Sequence, residues 1–172
     1  MKNKIVFFLI FILVCVKADI IQDYLAKNYK KICNINNISK YKNNEKILSI
    51  IGVSCVKVDS LYLLPYIVNR LKHTPYGRKN SIYFLTIVME KKLLYSFVFD
   101  NLSLKPFSFP LTDYVLSAVF EAIKNGNYKK DGDVYVINDK TEGIVYKVYK
   151  QDDKMYIDEY INNKLIKRRW YR

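Results

Sequence analysis

The feature that most constrains this 172-residue chain is a change of hydrophobic period just after Gly126. Before it, apolar residues recur every three or four positions; after it, they alternate. A helix returns a side chain to one face every 3.6 residues and a strand every two, so the two parts demand different secondary structure. The segments DVYVIN, GIVYKVYK, KMYIDEYI and KLIKRRWYR read as short strands joined by DKTE, QDD and NN. Connections this short permit only antiparallel neighbours, which makes a meander. The expected class is α+β, with N-terminal helices packed on a C-terminal antiparallel β-meander of about four strands.

The last connection also sets a register. Asn162-Asn163 suits a two-residue type I′ turn, because Asn tolerates positive φ. Pairing Ile161 with Lys164 then sets Asp158 opposite Lys167, Tyr156 opposite Arg169 and Met155 opposite Trp170. On this register Tyr156, Tyr160, Lys167 and Arg169 share one face, and Trp170 faces the core.

Upstream, residues 19–32 carry Ile21, Tyr24, Leu25, Tyr29 and Ile32 on one face and read as an amphipathic helix. NINNISKYKNN reads as loop, since Asn competes for its own backbone. Asn44 is placed to cap a helix through EKILSIIGVSCVKV, although the β-branched residues there also suit a strand. Asp59 or Ser60 stands before LYLLPYIVNRLKH, with Pro65 as a kink or a helix start, and TPYG reads as a turn. Residues 80–100 fit a buried helix or a hairpin. The helix is favoured because neither strand would own a polar face. Thr112 is placed to cap a helix carrying Leu116, Val119, Phe120 and Ile123, which ends before Gly126.

The N-terminus constrains compartment rather than fold. Lys2 and Lys4 precede an uncharged apolar run of 12 residues, Ile5–Val16, and Val16-Lys17-Ala18 has the small-residue pattern of a cleavage site. The run is short for a membrane span, which needs about 20 residues. Residues 1–18 are therefore expected to be a signal peptide. Residues 19–172 are expected to form a single α+β domain, mainly helical over 19–126 and a β-meander over 133–171. The protein is then periplasmic or secreted after cleavage near Ala18, or held in the membrane if that segment stays. Cys15 leaves with the signal, and the remaining pair, Cys33 and Cys55, is expected to form a disulfide outside the cytoplasm.

Losing Lys2, Lys4 and Lys17 and no acid takes the net charge from +13 to +10, still strongly basic. Tyr135, Tyr146, Tyr149, Tyr156 and Tyr160 can form an aromatic strip beside Lys and Arg, a pattern that binds sugars, nucleic acid or partner proteins. The binding residues singled out are Tyr156, Tyr160, Lys167 and Arg169. Their fitting partners are an anionic envelope polymer, an acidic lipid surface or an acidic protein; no nucleic acid and no cofactor is expected.

Chemistry is harder to find. The lone histidine, His73, has no local carboxylate or hydroxyl to orient it. Asp152-Asp153 lies in a turn, Asp158-Glu159 points to opposite faces of a strand, and Glu121 sits on the polar side of its helix. With one His and no C-x-x-C pair, no metal site is expected, and no residue earns a catalytic assignment. The sequence thus fits an exported, non-enzymatic binding or assembly protein. A small exported hydrolase, with a pocket between helices and sheet, is the alternative.

Overall fold

The computed structural model describes residues 20–139 and 141–172. The expected signal segment and its cleavage point lie outside the described residues. The chain divides into two compact units, with the boundary between Leu85 and Thr86 inside its longest helix.

The first unit is helical. Residues 20–25 form α1, followed by α2 (Tyr29–Ile32), α3 (Ile35–Lys40), α4 (Glu45–Lys57), a 3₁₀ turn (Leu61–Leu63), α5 (Leu64–Val68) and the start of α6 (Pro75–Asp100). The single helix expected over 19–32 is broken where Lys27 takes φ 59°. Asn28 closes the break, its Nδ2 donating to Asp23 Oδ1 at 3.1 Å. The Asn-rich run is not a loop but α3. Asn34 Oδ1 accepts from the Asn37 amide at 2.9 Å, so the local hydrogen bonding of Asn builds a helix cap instead of coil. Asn44 caps α4 as expected, accepting from Ile47 N at 3.1 Å.

TPYG is the first turn of α6 rather than a free turn. Thr74 Oγ1 accepts from Gly77 N at 3.0 Å, and Pro75 takes the first helical position, where its missing N–H costs nothing. Cys33 and Cys55 form a disulfide between the end of α2 and α4. Ile32, Leu48, Ile51, Leu64 and Ile67 are fully buried. A Cβ at Gly52 would strike the ring of Phe84, so this glycine allows α4 and the start of α6 to meet closely.

The second unit begins with residues 86–100 of α6, a helix as favoured from the sequence. A proline-broken loop leads to α7 (Val115–Lys124), which buries Leu116, Val119, Phe120 and Ile123 as expected. Tyr114, not Thr112, occupies the cap position. Thr112 Oγ1 instead accepts from the Tyr114 amide at 3.3 Å and bonds Ser117 Oγ at 2.7 Å. Gly126 closes α7 at φ 73°, the left-handed ending its position implied.

Five antiparallel strands follow in strict chain order: β1 (Lys129–Asp131), β2 (Val134–Asp139), β3 (Ile144–Gln151), β4 (Lys154–Ile161) and β5 (Lys164–Tyr171). β1 is an addition to the four strands expected, three residues long and wholly exposed. Tyr135, Ile137, Tyr146, Val148, Met155 and Ile157 form the buried face. Asn162 and Asn163 have φ 50° and 62°, as a type I′ turn requires, and Ile161 pairs with Lys164.

Beyond the first two pairs the expected register fails. A bulge between Glu159 and Tyr160 shifts the pairing, setting Asp158 opposite Arg168, Tyr156 opposite Trp170 and Met155 opposite Tyr171. One extra residue in a strand reverses the face of everything after it. Trp170 therefore leaves the core and is 54% exposed.

Candidate functional site

The corrected register assembles a surface on the outer face of the sheet. Tyr149 on β3, Tyr156 on β4 and Trp170 on β5 stand in one cross-strand row. The two tyrosine rings are stacked, 5.4 Å apart and 9° from parallel. Lys154 Nζ lies 4.6 Å from the Trp170 ring centroid, and the Arg168 guanidinium lies 6.0 Å from that of Tyr156. In the next row Lys147, Asp158 and Arg168 are in register, and Lys147 Nζ reaches within 4.7 Å of the Tyr160 ring.

One buried acid organises these groups. Asp158 is 2% exposed. Arg168 grips both its oxygens, from Nε and Nη2, at 2.8 Å each. The Tyr149 hydroxyl donates to Oδ2 at 3.2 Å. The bidentate bond holds Arg168 protonated even more firmly than usual. Burial, then the Asp158 charge, pushes the Tyr149 phenol up. Asp158 thus fixes the ring and guanidinium orientations, and its own charge is spent inside the surface. Lys154 and Lys147, held over aromatic faces, remain as outward cations.

Of the residues expected to bind, Tyr156 and Tyr160 belong to this face. Lys167 and Arg169 do not: the bulge turns them to the side of Met155 and Ile157. There Arg169 pairs with Glu159 and sits over the Tyr114 ring at 5.9 Å. Tyr135 and Tyr146, expected in an exposed strip, are buried. Lys147 and Lys154, on β3 and β4, were not distinguished from the other lysines of the meander. Arg168 and Trp170 were missed because simple alternation beyond the Asn-Asn turn places β5 on the wrong face. Only a bulge, which leaves no mark in the residue pattern, corrects it.

Several other titratable groups are bound to neighbours. A groove of about 460 Å³ runs between α7 and the β2–β3 hairpin, lined by Glu121, Asn125, Asp139 and Tyr146 among others. Glu121 is bound by Lys124 at 2.7 Å, and Asp139 Oδ1 accepts from the amides of Thr141 and Glu142 at 2.9 and 3.3 Å. Asp153 pairs with Arg172. Glu90 is 1% exposed, with Ser117 Oγ at 2.7 and 2.8 Å from its two oxygens. Burial, aided by the Glu121 charge and opposed by the Ser117 bond, pushes Glu90 up to about 7. That carboxyl is sealed from solvent.

His73 lines a cleft of the first unit whose only acid, Glu45, is fully hydrogen-bonded to backbone and Thr74. Among the described residues no group of His, Cys, Asp and Glu has a metal-holding arrangement, and no helix is long and apolar enough to cross a membrane. The chain matches no known family model, no curated protein and no solved structure.

Proposed function

We propose that this chain is an exported, non-enzymatic binding protein that holds an anionic envelope polymer on the outer face of its sheet. The row Trp170–Tyr156–Tyr149, flanked by Lys154, Arg168 and Lys147, carries the reading. Flat, pre-oriented rings suit the faces of sugar units, and cations beside them suit carboxylate or phosphate substituents. The cross-strand stack and the Asp158 clamp fix the rings before binding, so little side-chain entropy is lost on contact. The Cys33–Cys55 disulfide is compatible with residence outside the cytoplasm.

Trp170 is the only tryptophan in the chain and supplies the probe. Titrating the protein with polygalacturonate at low salt should change its fluorescence saturably. The response should shrink as salt rises, because charges are screened over about 8 Å at physiological ionic strength. Tyr156→Ser and Lys154→Gln should each weaken binding about tenfold, the scale of one stacking or charged contact. Lys167→Ser should change it little. Binding only to phosphatidylglycerol vesicles would reassign the surface to lipid. An unmoved Trp170 signal in all these titrations would remove the sheet face as a site.

A further inference from the structure

The first unit carries a second charged feature, unrelated to the sheet. A cleft of about 390 Å³ opens beside the start of α4 and the loop before α6, within the size range of small-ligand sites. Its basic walls are Lys42, Arg70, Lys72 and His73, and its single acid is Glu45. Glu45 is 8% exposed, and its oxygens are fully used. Oε1 accepts from the amides of Lys72 and His73 at 2.8 and 2.6 Å; Oε2 accepts from the Thr74 amide at 2.9 Å and from the Thr74 hydroxyl. The Thr74 hydroxyl first, then these backbone bonds, hold the Glu45 carboxyl down at about 2.

Two consequences follow. The oxygens of Glu45 are occupied by the backbone it anchors, so Lys42, Arg70 and Lys72 make no ion pair with it or with any other acid among the described residues. The loop is also gripped from its other side, where Arg78 Nη1 donates to the carbonyls of Lys72 and His73 at 3.2 and 3.0 Å. Lys72 and His73 therefore project from backbone fixed on both edges. Three like charges along one cleft repel one another, and a compact multivalent anion relieves that repulsion. An arginine fork, two ammonium groups and an imidazole match a tetrahedral dianion carried on a small molecule.

We propose that this cleft is a binding site for a phosphoryl group, with Arg70, Lys72 and Lys42 neutralising the charge and His73 donating from one edge. His73 is the only histidine, so its imidazole gives a single proton NMR signal to follow. Titrating the full chain with inorganic pyrophosphate should move that signal saturably. Arg70→Gln and Lys72→Gln should each weaken the apparent affinity about tenfold or more, as expected for a lost charged hydrogen bond. Lys27→Gln, at the α1–α2 break, should not. Inorganic sulfate at matched ionic strength separates phosphoryl from sulfuryl recognition: tighter pyrophosphate binding supports the proposal, and equal binding overturns its phosphoryl assignment. A linear, unsaturating shift, or equal losses from the cleft and remote variants, would reduce the cleft to diffuse charge. Trp170, in the other unit, should stay silent in the titration, which keeps this outcome distinct from polymer binding at the sheet.

Discussion

Glu90 shows how far a residue can differ from its reading in sequence. Within SIYFLTIVMEKKLLYSF it opens the charged stretch Glu90–Lys92, which would be the turn if residues 80–100 were a hairpin. The structure buries it against Ser117, and a buried carboxyl resists ionisation. Its folded value of about 7 lies above the ordinary 4.5, so the folded chain holds this proton where the unfolded chain has released it. The stability it confers is complete below pH 4.5 and is lost as pH rises to 7. Glu90→Gln removes the ionisation and keeps a hydrogen-bonding side chain. We expect it to stabilise the second unit at pH 8 by up to about 3 kcal/mol and to do little or slight harm at pH 4.5. Urea unfolding followed by Trp170 fluorescence at the two pH values measures this; a larger gain at pH 4.5 would contradict the burial argument.

Among elements, the most legible were those specified by local chemistry. Asn44 before α4, Gly126 after α7 and the Asn162-Asn163 turn were each placed by a conformational preference acting within a few residues. The pairing of Cys33 with Cys55 was readable for another reason: two thiols expected outside the cytoplasm have one natural bond to make. What stayed hidden depended on partners far along the chain or on a single added residue. α3 hides in an Asn-rich run, β1 is too short and too polar to show alternation, and the bulge beside Tyr160 inverts a face without altering composition. The cationic cleft was invisible because Glu45 and residues 72–74, 27 to 29 positions apart, are joined only in the folded unit. The disulfide offers a clear test at this scale. In unfolded, unreduced protein a thiol reagent should label neither Cys33 nor Cys55. Replacing both with Ser should cost the first unit roughly 2–4 kcal/mol in urea unfolding. Two labelled thiols before reduction would deny the bond.

For the whole molecule, two glutamates set opposing pH limits. Glu45, held at about 2 when folded against an ordinary 4.5, contributes stability above pH 4.5 that is lost as pH falls toward 2. Glu90 acts in the opposite direction between 4.5 and 7. Thermal unfolding should therefore show the first unit weakening toward acid, seen as early loss of helical circular dichroism. The second should weaken from pH 5 to 8, seen as a falling Trp170 midpoint. Parallel trends in both signals would show that other groups dominate. The strand order has a consequence for how the chain reaches this state. Every strand pairs only with its neighbour in sequence, and β2 through β5 are joined by turns of two to four residues. Closing such short loops removes little chain entropy, so each hairpin can zip from its own turn without waiting for a distant segment. A sheet built this way assembles quickly and leaves the edges of its inner strands, β2 to β4, unpaired only briefly.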